Sequence, residues 1–151
     1  LQLTRRAEYA IRALLDLTLH QHEQPVMSKQ IAARQGVPIK FLFQIIPDLK
    51  EAGLIVTTRG NGGGIYLNKQ PNTITIRQIV EAIEGPFAIN QCLIGKDSCE
   101  RKPSCPLHNV WKEAQEGMLK VLESTSLADL AAAISGQGNT SDHSNILHFE
   151  D

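Results

Sequence analysis

Apolar side chains recur at helical spacing from the first residues of the chain. Ala7, Ala10, Ile11, Leu14 and Leu17 fall at i, i+3, i+4 and i+7 on one face, and Thr4 stands where a side-chain oxygen can cap the helix they predict. Polar residues 21–24 and Pro25 end it. A short helix with Ile31 and Ala32 turned inward follows, with Ser28 as its expected cap. Gly36-Val37-Pro38 is a tight turn, and proline suits the start of the next helix, which should bury Phe41, Leu42, Ile45, Ile46 and Leu49 and stop at Gly53. Pro47 lies inside that helix and predicts a kink, because proline removes one backbone donor and crowds the preceding turn. Two helices around a short glycine-containing turn make a helix-turn-helix.

The period then changes. Leu54 to Thr58 is rich in β-branched residues and Ile65-Tyr66-Leu67 is a second short strand, with Arg59-Gly60-Asn61-Gly62-Gly63-Gly64 between them. Its four glycines permit positive φ and close backbone approach. A hairpin directly after a helix-turn-helix is a wing. Thr75 and Gln78 form a capping box for a helix with Ile76, Ile79, Val80 and Ile83 inward, closed by Gly85-Pro86. After an aperiodic segment containing all three cysteines, Ser104 is the expected cap of a longer helix with Pro106 in its first turn. Leu107, Val110, Trp111, Ala114, Met118, Val121 and Leu122 form a stripe on it wide enough to pack against a partner helix. Ser126 and Asp129 cap a last short helix, and the Gly-, Ser-, Asn-, Asp- and His-rich composition from Gly136 onward predicts a disordered tail.

The fold expected is mainly α with a small β-hairpin, a winged helix-turn-helix plus a long C-terminal dimerisation helix. Its parts are a DNA-binding domain over residues 1–85, a cysteine loop over 86–104, the long and short helices over 105–135, and the tail over 136–151. At 151 residues the chain suits one modest domain with an appended helical element. No run of eighteen apolar residues and no secretion signal is visible, so the expected compartment is the cytoplasm, with no membrane partner.

A net charge of −1 argues by itself against a nucleic-acid protein, but its distribution does not. Residues 1–69 carry nine bases and five acids, a net +4, whereas the remainder carries six and eleven, a net −5. A phosphate-facing half joined to a half with another task fits that split. On the second helix of the helix-turn-helix, which in this motif enters the major groove, Lys40 and Gln44 are candidate base readers. Thr4, Ser28 and Lys29 sit at helix starts suited to phosphate oxygens, and Arg59, Gly60, Asn61 and Gly62 form a wing tip suited to a minor groove. The glycine run lacks a following Lys-Ser/Thr and opens no helix, which argues against a nucleotide-phosphate loop. No acid/base pair or nucleophile motif points to catalysis or to a small-molecule substrate.

Cys92, Cys99 and Cys105 are separated by six and five residues, and His108 lies three beyond the last. Close Cys-x(2–4)-Cys knuckles, which zinc prefers, are absent. Thiolates spread over one segment suit an iron–sulfur cluster, and redox-active or structural thiols fit the spacing equally.

These patterns together resemble the Rrf-two family of winged-helix iron–sulfur transcription regulators, the IscR-, NsrR- and CymR-like proteins. Leu3-Thr4-Arg5-Arg6-Ala7-Glu8-Tyr9-Ala10, Leu49-Lys50-Glu51-Ala52-Gly53-Leu54-Ile55, the glycine run and Ile79-Val80-Glu81-Ala82-Ile83-Glu84-Gly85 carry the resemblance. It implies a cytoplasmic homodimer, joined through the helix at 105–122, that binds palindromic double-stranded operator DNA, for instance as a repressor. It further implies an iron–sulfur cluster, [2Fe-2S] favoured over [4Fe-4S], on Cys92, Cys99 and Cys105. The fourth ligand would be His108, as in IscR-like members, or Glu8 from the partner subunit, as in NsrR-like ones. The signal would be redox, iron–sulfur or nitric-oxide status; a cluster-free thiol regulator of the same fold is the alternative, and an iron–sulfur carrier a more distant one. Three features depart from the pattern: one additional residue between Cys92 and Cys99, Phe43 at a commonly polar helix position, and Ile65 where an aromatic usually follows the glycines.

Overall fold

The computed structural model describes residues 2–136, so the tail expected over 136–151 lies, beyond Gly136, outside the described residues. Helix α1 spans Arg5–Leu19 and opens at Thr4, whose hydroxyl accepts the Ala7 N–H at 3.3 Å. Ala7, Ala10, Leu14 and Leu17 are buried as their spacing predicts, joined by Tyr9 and Ala13, and Ile11 packs half-buried at the edge of the stripe. This helix is the centre of the molecule, and four other helices pack on it.

Helix α2 covers Ser28–Gln35 and α3 covers Ile39–Glu51. The cap of α2 is Met27 rather than Ser28, which is already the first helical residue. Gln30 is the reason: its side-chain oxygen turns back and accepts the Met27 N–H at 2.9 Å, taking over the capping role from the third helical position. Gly36 turns the chain between the two helices at φ +61°, a left-handed conformation in which a side chain is strained. Leu42, Ile45 and Leu49 carry α3 into the core, while Phe41 and Ile46 are half-buried at its rim. The helix runs through Pro47 as one element with that proline exposed.

Strands β1 (Ile55–Thr58) and β2 (Gly64–Leu67) pair antiparallel, with Ile55 opposite Leu67 and Thr58 opposite Gly64. Leu54, expected in the first strand, instead closes the end of α3, its N–H donating to the Leu49 carbonyl at 3.0 Å. The hairpin is bolted to the core at its base. Val26 and Ile65 exchange two backbone hydrogen bonds of 3.0 and 2.9 Å. The Gln24 side chain donates to the Leu17 carbonyl and accepts the Leu67 N–H, both at 3.0 Å. Gly64 is required there because a Cβ would lie 2.7 Å from the Val26 carbonyl oxygen.

Helix α4 (Ile76–Glu84) has the expected capping box, with Thr75 and Gln78 each accepting the other's backbone N–H at 3.2 Å. Helices α5 (Pro106–Ser124) and α6 (Leu127–Ile134) complete the described chain. Cys105, not Ser104, precedes the first turn of α5: residues 102–104 form a 3-10 turn, so the chain becomes extended only at Cys105. Helix α6 folds back on α1, placing Leu127 in the core at 0% exposure, and its first N–H donates to the Ile74 carbonyl at 2.9 Å. No described helix is long and apolar enough to cross a membrane.

Candidate nucleic-acid interface and cysteine loop

Ion pairs that apolar periodicity does not reveal link α2 and α3 to α1. Asp16 faces the interior of α1 with 0% exposure. Its two carboxylate oxygens accept the Arg34 Nε at 3.0 Å and Nη2 at 2.8 Å, and the Gln35 amide adds a third hydrogen bond at 3.0 Å. A planar guanidinium meets a carboxylate in a two-pronged contact that fixes distance and angle together. The Arg34 pKa is raised above its ordinary value, chiefly by this hydrogen bonding to Asp16, with burial opposing and the charges of Asp16 and Glu23 assisting. Arg6 makes the corresponding link to α3, its Nη2 lying 2.6 Å from Asp48 Oδ2. Local sequence does not pair Asp16 with Arg34 or Arg6 with Asp48, because a buried aspartate on an apolar helix face announces only that it needs a partner.

The outward side of α3 presents Ile39, Lys40, Phe43, Gln44 and Pro47, all exposed. Lys40 and Gln44 therefore lie together on the surface as a reading helix requires, and the Lys40 ammonium sits 5.5 Å from the Phe41 ring centroid. Lys29 is exposed at the start of α2, with Ser28 half-buried beside it. Arg59, Gly60, Asn61 and Gly62 are exposed at the wing tip, which turns through Gly60 at φ +87° and Gly62 at φ +78°. Thr4 differs from the other candidates. Its N–H donates to Glu84 at 2.8 Å and its hydroxyl holds Ala7, so both groups are engaged beside an acid.

The cysteine loop hangs between α4 and α5. Its beginning is tied to α5 where the Ile89 N–H donates to the Gln115 side chain at 3.0 Å. All three cysteines are free thiols and half-buried. Cys92 lies in a 3-10 turn over residues 91–93, Cys99 in the irregular stretch that follows, and Cys105 at the head of α5, where its carbonyl accepts the His108 N–H at 3.2 Å. The His108 Nδ1 is buried without a hydrogen-bond partner. Among the described residues no group of three or more His, Cys, Asp or Glu side chains converges as a metal site. Glu8 is exposed on α1 and ion-paired with Arg12 one turn later.

Helix α5 is attached on one side only. Half-buried Met118, Leu119 and Leu122 face the domain, and Arg77 of α4 reaches Glu123 at 3.1 Å while holding Glu81 at 3.0 Å. Elsewhere along the same apolar stripe Leu107, Val110 and Val121 are more than half exposed and Trp111 is 37% exposed. None of the nineteen residues of this helix is buried within the chain.

A family model described as "Rrf2: Iron-dependent Transcriptional regulator" matches residues 3–133, nearly the whole described chain. The chain belongs to the Rrf2 family. It is 33% identical to the HTH-type transcriptional regulator IscR of Erwinia tasmaniensis over 130 residues, covering 86% of this chain and 78% of that one. Among solved structures, T. potens IscR superposes with a TM-score of 0.72 at 30% identity, covering 89% of this chain and 88% of its own. CymR, the global cysteine regulator of B. subtilis, gives a TM-score of 0.72 at 28% identity, covering 88% and 98% respectively. The protein is therefore a winged-helix transcriptional regulator that binds DNA, and not an enzyme.

Proposed function

We propose that this Rrf2-family regulator acts in the cytoplasm as a homodimer on a palindromic operator, with its affinity set by an iron–sulfur cluster held by Cys92, Cys99, Cys105 and His108. The observation that carries this reading is the buried, unpartnered Nδ1 of His108, one turn into the helix that Cys105 begins. A buried ring nitrogen without a partner is costly, and a ligand bond to a metal relieves that cost. Three free thiols in the same segment supply the soft donors that such a cluster takes. When bound, the cluster supplies sensitivity to oxidants, nitric oxide and iron supply; [2Fe-2S] is favoured over [4Fe-4S].

The chain's own residues convert loop order into DNA affinity. Gathering the three cysteines draws the loop onto the head of α5, and Arg77 and Gln115 connect α5 to α4 and to the start of the loop. The uncovered stripe of Leu107, Val110, Trp111 and Val121 is the surface that a second copy of α5 covers. A change at the loop then alters the separation of two reading heads that must match adjacent major grooves, about 34 Å apart. Lys29, Lys40, Gln44 and the wing residues 59–62 make the DNA contacts. Glu8 of the partner subunit is the alternative fourth ligand, and to serve it would give up its pairing with Arg12.

Protein purified without oxygen should be brown, contain iron and lose its visible absorbance in Cys92→Ala. His108→Ala against Glu8→Ala identifies the fourth ligand. A colourless, iron-free protein that binds its operator normally would sink the proposal. The second reading, direct sensing by thiols, draws on the three cysteines being free and half-buried in one segment. It is recognised by disulfides or thiol adducts in mass spectra after mild peroxide, in protein that holds no iron.

A further inference from the structure

We infer that Phe43 is a specificity residue, reading the C5-methyl group of a thymine in each operator half-site; the inference rests on α3 being the helix that enters the major groove. Phe43 is 59% exposed, against 37% for Ile39 one turn earlier on α3. Its neighbour two positions earlier shows what a structural phenylalanine does here: Phe41 packs half-buried against Tyr9, with ring centroids 5.4 Å apart in an edge-to-face contact. The core beneath α3 is filled by Leu42, Ile45 and Leu49, so Phe43 is not needed for it.

What surrounds Phe43 identifies its occupant. Lys40 one turn before it, Gln44 beside it and Pro47 one turn after it are exposed on the same helix. Lys29, at the start of the other helix of the motif, adds a second exposed cation to a half of the chain with net charge +4. That charge suits a polyanion rather than an apolar protein partner. A phenyl ring can neither donate nor accept a conventional hydrogen bond, and the thymine methyl is the one apolar group on the base edges of the major groove. Gln44, one residue on, has the two-pronged amide that suits adenine. The pair Phe43-Gln44 is accordingly a reader of A·T-containing steps.

The full chain, purified without oxygen, would first select duplexes from a random pool. Each thymine of the enriched half-site is then replaced in turn by deoxyuridine, which lacks only the methyl group. At one position wild-type binding should weaken about fourfold per half-site, the worth of one buried methyl group. Phe43→Ala should bind the thymine operator that much more weakly, with no further loss on the deoxyuridine duplex, while Phe43→Leu keeps part of the discrimination. Because the side chain is exposed, both variants should melt with the wild type. Wild-type indifference to every thymine replacement would overturn the inference, as would an equal deoxyuridine penalty in Phe43→Ala. If no sequence is enriched at all, sequence reading by α3 fails as well, which separates the two failures.

Discussion

Removing the Arg34 side chain isolates the ion pair that links α2 to α1. In the folded protein the Asp16 carboxylate is fully buried and holds three hydrogen bonds, two from Arg34 and one from Gln35, of 2.8–3.0 Å. Arg34→Ala deletes both guanidinium bonds and leaves a buried anion on one amide, with His20 Nδ1 3.7 Å from Oδ1. Hydrogen bonds to charged groups contribute about 1.5–3 kcal/mol each, and breaking a buried pair from one side costs about 3–5 kcal/mol. Asp16→Asn is the milder lesion, because the guanidinium left behind is 30% exposed and can be hydrated, whereas the carboxylate cannot. It should cost about 2 kcal/mol, the range of an imperfectly satisfied buried group. Urea unfolding followed by far-ultraviolet circular dichroism, at one fixed protein concentration because the proposed dimer would add to stability, measures both. Operator affinity should fall in the same order. A cost below about 1 kcal/mol for Arg34→Ala, or a larger loss in Asp16→Asn, would refute the assignment of the buried carboxylate as the dependent partner.

Gly64→Ala should destabilise the wing by about 1–3 kcal/mol, because its Cβ would lie 2.7 Å from the Val26 oxygen and 2.9 Å from the Val26 carbonyl carbon; hydrogen exchange at Val26 and Ile65 reads the opening of that bridge. Leu127→Ala should lower global stability by about 2–5 kcal/mol in the same urea assay, and a loss under about 1 kcal/mol would show that α6 is peripheral to the core. Lys29→Ala should weaken binding similarly across duplex sequences and reduce the slope of log K against log salt by about 1, whereas a base-reading role would change the preferred sequence instead.

The local elements were legible because each is encoded within a few residues. The capping box of Thr75 and Gln78, the inward Ile76, Ile79, Val80 and Ile83, and the glycine run between two short strands all need only neighbours at fixed spacing. The same holds for the clustering of Cys92, Cys99 and Cys105 and for the resemblance to Rrf2 regulators, which the family match bears out. Caps were less secure. Ser28 and Ser104 have the right side chains, but Gln30 turns back to hold the amide of Met27, and a 3-10 turn carries the chain on to Cys105 before α5 begins.

Other features depended on parts of the chain that meet only after folding. Asp16 and Arg34 are eighteen positions apart, and nothing in either local sequence names the other as its partner. Leu127 reads as the first residue of an isolated short helix until α6 folds back against α1 and Ile74. The stripe on α5 was visible as a period, yet only packing decided that Met118 and Leu122 face the domain while Leu107, Val110 and Val121 stay uncovered. Periodicity specifies which side of a helix is apolar. Which neighbour covers that side, and which buried charge finds which partner, is decided by contacts between elements distant in sequence, whose energies no local window contains.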